Sequence, residues 1–281
     1  MDTSVPRVAE RRVHVVPLGH EHDRIVDPLR RHGADVVYLL ADEPDRDAAR
    51  GAVDFEAAAA ADPTDTRVDV DRIADYQRDA WEAIGSFASV RALPVELADV
   101  YDVLGVTTTI AARHGAGDPD GDRLFANVST GPRIAAVGVA MGCMIVGARP
   151  YSVEPETYRH DVDEAPLTTG VERTVDLPLY PMDAPTADQV AVLGRLHDRN
   201  DDHLTTDKWN LIEWARGREL TFLREAGESR TAKYRALETH ILGPLIDRGY
   251  VELEDVGRSD TVHLTETGRR VYFAFQHKLG A

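Results

Sequence analysis

The stretch from Leu124 to Gly147 constrains this 281-residue chain more than any other. Residues 124–128 (Leu-Phe-Ala-Asn-Val) form a short apolar run suited to a buried strand. Residues 134–146 are poor in polar atoms and rich in Ala and Gly, which suits a helix packed closely on a sheet. Between them stands Ser129-Thr130-Gly131-Pro132-Arg133. Pro132 suits a first helical turn, where a missing N–H costs nothing. A strand end, a glycine-bearing turn and a helix N-terminus direct free N–H groups outward, and the helix dipole favours negative charge there. Ser129, Thr130 and Arg133 add donors. The stretch reads as an anion cradle, although turns of this composition also join strands to helices with no ligand. The cradle reading requires a site not filled by the chain's own side chains.

A strand–turn–helix unit of this kind needs a sheet to lie on, and the residues before it supply one. Residues 12–18 carry Val13, Val15, Val16 and Leu18, and end in Gly19-His20-Glu21-His22-Asp23. A helix over 23–31 follows, stopped by Gly33, and then a strand over 35–40. That order calls for parallel pairing with a right-handed crossover. The spacing of Ile73, Tyr76, Ala80, Trp81, Ile84 and Phe87 predicts a helix over 70–90, followed by a strand over 93–97. A helix is expected over 100–114, weakened by Thr107-Thr108-Thr109. Residues 118–122 lack the distal Glu of a calcium loop and read as a solvated turn. A strand over 148–153 and an edge strand over 171–177 complete an α/β, doubly wound, Rossmann-like parallel sheet. No GxGxxG follows the first strand, which disfavours a nicotinamide dehydrogenase. Residues 42–65, with an Ala-rich patch at 57–61, are less regular, and residues 1–10 read as a loose leader.

Residues 178–185 hold three prolines and read as a linker, dividing a domain over 1–180 from one over 181–281. The second domain is mainly helical, with helices expected over 186–196 (Thr186 as N-cap), 207–223 and 230–248, the last kinked by Pro244. A strand from Gly249, a turn at 256–260 and a returning strand at 261–264 make a wing, and Thr265 caps a closing helix. This order defines a winged helix-turn-helix.

Charge separates the two halves. The whole chain has net charge −17, with only three lysines among its 32 basic residues. Strong acidity of this lysine-poor kind fits a very salty cytoplasm, where it serves solubility and says little about partners. Residues 208–248 nevertheless hold eight basic side chains against six acidic ones. Ser229, Arg230, Thr231, Lys233 and Tyr234 open the third helix of the second domain, the end that enters a major groove, and Arg258 stands at the wing tip. These six are the candidate DNA-binding residues; the alternative is a solvated helix face. The single cysteine, Cys143, excludes a disulfide framework and reads as a core residue. No signal sequence or membrane span is expected, and a cytoplasmic location follows.

The two turns and the winged helix together resemble the CRISPR-associated Rossmann-fold (CARF) transcriptional regulators of the Csa3 type, and more closely their haloarchaeal members. The resemblance covers nearly the whole chain. It implies a homodimer in which the two turns face each other across the twofold axis and bind a cyclic oligoadenylate or related nucleotide. By position, the ligand-binding residues would be Leu18, Gly19, His20, Glu21 and His22 in the first turn. In the second they would be Asn127, Ser129, Thr130, Gly131, Pro132 and Arg133. The second turn often ends in a Gly-Thr-Lys-like sequence in that family; here Pro132-Arg133 stands there, and an arginine can hold phosphate bidentately. The implied function is a ligand-responsive, DNA-binding transcriptional regulator with no cofactor, no metal and no membrane partner. Two alternatives remain: a ring nuclease using His20 or His22 as acid or base, and a dimeric DNA-binding protein with no ligand. His20-Glu21-His22 also offers two metal ligands, but no third can be assigned.

Overall fold

The computed structural model describes residues 10–43, 75–159, 166–201, 206–224, 226–256 and 259–280. The chain divides into two compact units, Met1–Asp183 and Ala184–Ala281. Residues 1–9 of the leader expected over 1–10, the Ala-rich patch at 57–61 and the wing-tip Arg258 lie outside the described residues.

The first unit is built on six strands: β1 (Arg12–Pro17), β2 (Val36–Asp42), β3 (Ser89–Val95), β4 (Arg123–Asn127), β5 (Arg149–Glu154) and, after two short strands β6 (Thr157–Tyr158) and β7 (Thr168–Thr169), β8 (Arg173–Asp176). Their order across the sheet is β3-β2-β1-β4-β5-β8. All neighbouring pairs are parallel except β5 with β8. The chain runs outward from β1 through β2 to β3, then returns to β4 on the other side of β1. The β1/β4 junction is therefore the topological switch point, where open α/β sheets present ligands beyond their strand ends. Helices α1 (Asp23–His32), α2 (Asp75–Gly85), α3 (Val100–Arg113) and α4 (Arg133–Val146) connect the strands.

Alternation along β1 and β2 feeds two cores. Val13, Val15, Tyr38 and Leu40 pack with residues of α3 and α4, including Val103, Ile110, Ala135, Val139 and Cys143. Val16, Val37 and Leu39 pack with Ile25 and Leu29 of α1 and Trp81 and Ile84 of α2. The sheet is thus covered on both faces, as its β-branched composition requires. The glycines of α4 serve a helix rather than the sheet. A Cβ on Gly138 would lie 2.8 Å from Val103 Cβ, and one on Gly142 would lie 2.7 Å from Thr107 Cγ2, both on α3.

One boundary of the first unit differs from the sequence expectations. The helix expected over 70–90 ends at Gly85, and β3 already begins at Ser89. Ser86 Oγ donates to the Ala83 carbonyl at 2.6 Å and closes the helix, so the helical spacing that included Phe87 ran past the true end. The threonines of α3 do not break it, because Thr107, Thr108 and Thr109 hydroxyls bond back to Val103, Leu104 and Gly105 carbonyls. The turn at 118–122 is exposed over residues 118–120, as expected, and is anchored at its end by Asp122. Asp122 accepts from Arg11 and from His114 Nδ1, and His114 Nε2 meets the Tyr38 hydroxyl at 2.9 Å.

The second unit comprises α5 (Ala187–Asp201), α6 (Lys208–Gly217), α7 (Thr221–Arg224), α8 (Arg230–Leu237), a π-helical turn (Glu238–Leu242), α9 (Gly243–Asp247), β9 (Val251–Val256), β10 (Ser259–Leu264) and α10 (Glu266–Phe275), closed by a 3₁₀ turn (Gln276–Leu279). Thr186 and Gln189 form a reciprocal capping box at the start of α5. The single helix expected over 207–223 is two, broken where Glu219 takes φ 55°. The segment over 230–248 is continuous but passes through the π turn just before Pro244. A π turn shifts the register at the point where proline removes a backbone donor. β9 and β10 pair antiparallel as the wing, with Asp207 bridging to Thr261 alongside. Thr265 caps α10 by accepting from Gly268 N–H at 3.0 Å.

Candidate functional site

The turns after β1 and β4 meet at the switch point. Thr130 Oγ1, fully buried, donates to the Pro17 carbonyl at 2.8 Å. Gly131 takes φ +74°, and a Cβ there would lie 2.8 Å from Pro17 Cβ, so both its backbone and its surroundings demand glycine. A Cβ on Gly19 would lie 2.2 Å from Gly131 N and 2.2 Å from Glu21 Oε2. The two glycines therefore bring the turns together with no room for a side chain. Asn127, also fully buried, ties the second turn to α1 and to itself. Its Nδ2 donates to the Arg24 carbonyl at 2.9 Å, while its Oδ1 accepts from Ser129 N and from Ser129 Oγ at 3.0 and 2.5 Å.

These contacts show where several of the expected ligand-binding side chains are already engaged. Leu18 packs in the apolar core on the α1 and α2 face rather than lining the site. The hydroxyl protons of Ser129 and Thr130 are used inside the fold: Ser129 Oγ donates to Asn127 and accepts from Val153 N–H at 2.9 Å, and Thr130 donates to Pro17. These side chains shape the turn and are not free to donate to a ligand. Pro132 is the N-cap of α4 (φ −61°, ψ 150°), one position before the first helical turn. Arg133 is exposed at the start of α4.

His20 and His22 diverge. His20 Nδ1 meets the Tyr76 hydroxyl, whereas His22 Nδ1 contacts Asp23 Oδ1 at 3.0 Å. Burial works against the Asp23 carboxylate, but the Gly170 N–H and His22 outweigh it and hold its pKa below the ordinary value. Among the described residues no three His, Cys, Asp or Glu side chains gather as a metal site. Gln77, whose Nε2 donates to the Gly19 carbonyl at 2.7 Å, also borders the turns, as do Arg24 and Thr168. Helical spacing over 70–90 counts Tyr76 among its recurring positions and gives no sign that Gln77 reaches the first turn.

The carboxylate of Glu21 lies in the nook between the turns. The residue is 7% exposed, and its Oε2 is buried with no hydrogen-bond partner among the described residues. Arg24 Nη1 stands 3.6 Å from Oε1. Burial raises the Glu21 pKa; Arg24, the N–H groups of Gly131 and His20, and the His20 side chain only partly offset it. The cradle is thus not empty: the chain's own carboxylate occupies it.

In the second unit, Ser229 Oγ caps α8 by accepting from Ala232 N–H at 3.1 Å. The Arg230 guanidinium lies 4.5 Å from the centre of the Trp209 ring and 5.6 Å from that of Tyr234. These two rings are themselves stacked at 5.9 Å. Cation–π contact of this kind holds a long side chain in place at the helix start without neutralising it. Thr231 is exposed and Lys233 half-buried on the same turn. Lys208, by contrast, is engaged with Glu238 and Asp260. Burial lowers its pKa, but the hydrogen bonds to Asp260 and Glu238 prevail and raise it.

A doubly wound Rossmann-like unit with two glycine turns meeting at its switch point, followed by a winged helix unit, defines the class of this protein. Residues 12–158 match the family described as HFX_2341_N-like, N-terminal, and the chain belongs to that family. Residues 188–276 match the DUF6293 C-terminal winged helix domain. No curated protein matches the chain. Solved structures similar to it include Can2 from Sulfobacillus thermosulfidooxidans in complex with cyclic tetra-adenylate, at 11% identity and TM-score 0.36, covering 95% of this chain and 64% of that one. Csm6 of Enterococcus italicus, bound to cyclic hexa-2'-fluoro-hexa-dAMP, matches at 12% identity and TM-score 0.33, covering 52% and 34%. Protein VC1899 from Vibrio cholerae matches at 13% identity and TM-score 0.33, covering 95% and 65%. The chain spans less than two thirds of the length of each. No helix among the described residues is long and apolar enough to cross a membrane.

Proposed function

We propose that this protein is a ligand-responsive DNA-binding transcriptional regulator of the CARF type, akin to the Csa3-like regulators. It would act as a homodimer that senses a cyclic oligoadenylate at its Rossmann-like domain. The observation that carries the reading is the meeting of the Gly19 and Gly131 turns at the β1/β4 switch point, in one chain with a winged helix whose recognition-helix start bears a stacked arginine. Backbone N–H groups at the start of α4 and the exposed Arg133 supply charge for phosphate only once the Glu21 carboxylate leaves the nook between the turns, and a carboxylate that stays there overturns the sensing half of this reading. Beside Arg133, Ile134 and Val137 are large, apolar and 46% and 49% exposed, a composition that suits a twofold partner. The cyclic ligand itself is inferred from the motif resemblance. Ligand binding acts on the winged helix through residues 178–185, provided that the ligand favours one dimer arrangement over the other.

Titration calorimetry with cyclic tri-, tetra- and hexaadenylate tests this. Binding of one ring to a dimer is expected, with Arg133→Ala weakening it at least tenfold, about 1.4 kcal/mol, and leaving the melting temperature unchanged. Thr130→Val is expected to lower stability instead, by about 1–3 kcal/mol, because the Pro17 carbonyl loses its buried partner. Absence of heat with all three rings overturns the assignment of the ligand.

A further inference from the structure

The start of α4 is flanked by a feature that a strand-to-helix turn does not need: a buried carboxylate with an unsatisfied oxygen. Glu21 is more than nine-tenths buried, and its Oε2 has no hydrogen-bond partner among the described residues. The point where a Gly19 Cβ would stand is equally close, 2.2 Å, to that oxygen and to Gly131 N. The carboxylate therefore lies against the backbone N–H groups that an incoming phosphate would use. Burying a carboxylate in this way is costly unless its oxygens are well satisfied. Arg24 compensates only in part. It stands 3.6 Å from Oε1, and its Nε is already committed to the Val153 carbonyl at 2.8 Å. Thr168, which bridges to Glu21 through the backbone, also has a buried Oγ1 without a partner among the described residues. His20 and Tyr76 border the same turn from the solvent side and from α2.

We infer that Glu21 is the specificity-determining residue of the cradle: an internal anion that excludes small free anions and yields only to a ligand making further contacts on both turns. This rests on reading the cradle as a phosphate site. A lone phosphate gains the backbone donors only by meeting the carboxylate's charge or by displacing the side chain, and its own contacts offer little to offset either. A larger phosphate-bearing ring gains contacts to Arg133 and to the first turn at the same time, and so can drive the carboxylate out. Discrimination then comes from a repulsive element as well as from attractive ones.

The test compares the full-length wild type with Glu21→Gln and Glu21→Ala by titration calorimetry, using inorganic phosphate and cyclic tetra-adenylate as separate probes, together with thermal melts. Wild type is expected to show no saturable heat with inorganic phosphate, and both variants to acquire it. Affinity for cyclic tetra-adenylate is expected to rise about tenfold or more in the variants, and their melting temperatures to equal or exceed that of wild type. If the variants gain phosphate binding while no protein binds cyclic tetra-adenylate, Glu21 keeps its role and the ligand class falls. If the folded variants gain no phosphate binding, or bind cyclic tetra-adenylate unchanged or more weakly, the role of Glu21 is overturned. A fall in melting temperature in both variants also overturns it, because the carboxylate would then be part of the scaffold.

Discussion

His14 lies in the middle of the sheet, fully buried, stacked on Phe125 at 5.0 Å and 3.3 Å from the Tyr151 hydroxyl. Burial above all, with His32 and Arg12 nearby, pushes its pKa down to about 3. An unfolded histidine titrates near 6.5. Between these values the unfolded chain binds the extra proton, so the contribution of His14 is full above about pH 6.5 and is lost as pH falls toward 3. From pH 7 to about pH 4 this one group is expected to cost the sheet roughly 3 kcal/mol, at about 1.4 kcal/mol per pH unit. His14→Phe keeps a ring over Phe125 and removes the titration. Its melting temperature is expected to fall less steeply with acid than that of wild type, and equal slopes in thermal melts across this range would refute the account. Nothing in the alternation of β1 marks His14 as special: it occupies an inward or outward slot like any other, and only the packing of Tyr151 and His32 around it shows that it is kept neutral.

Between α3 and α4, small side chains decide the distance. Alanine is a better helix former than glycine by about 1 kcal/mol, so Gly138→Ala or Gly142→Ala would stabilise an isolated α4. In the folded unit the new methyl meets Val103 or Thr107 well inside contact distance, and overpacking of this kind typically costs about 1–3 kcal/mol. Each substitution is therefore expected to lower stability, measured by denaturant unfolding, and a gain in either would mean that α3 gives way freely. Elements of this type were legible in the sequence to different degrees. Helix α3 could be read from its periodicity, and its Asp99 N-cap accepts from Tyr101 N–H as such a start should. The parallel order of the sheet followed from alternating apolar runs and helices. The end of α2 and the break at Glu219 did not follow, because apolar spacing continued across both stops. The two glycine turns were visible as turns, whereas the inward burial of Glu21 was not: a charged residue in a loop reads as a solvated rim until the facing backbone is in place. The same holds for Ser129 and Thr130, whose hydroxyls look free in a linear sequence and are consumed by partners 24 and 113 positions away.

For the molecule as a whole, a net charge of −17 serves solubility and leaves contacts with a polyanion to local patches. On the proposed function, duplex binding depends on the local cationic surface at the start of α8. Arg230 is held there by Trp209 and Tyr234 without an acidic partner among its described contacts. If the proposed function holds, DNA binding by the full chain is expected to weaken steeply and linearly in log affinity against log salt. Arg230→Ala is expected to weaken it by about 1–3 kcal/mol, as mobility shifts at several salt concentrations would measure. Unchanged binding by that variant would move the interface off α8.

The bond from Thr130 to Pro17 has a consequence of its own. It fastens the end of β1 to the turn after β4, 113 positions apart in the chain, and these belong to opposite halves of the sheet. No peptide and no half-domain carries both sides of the clasp, so it is completed only when the halves have docked. A ligand that bridged the two turns beside it would favour that docked state over every partly opened one, and its occupancy and resistance to unfolding would rise together.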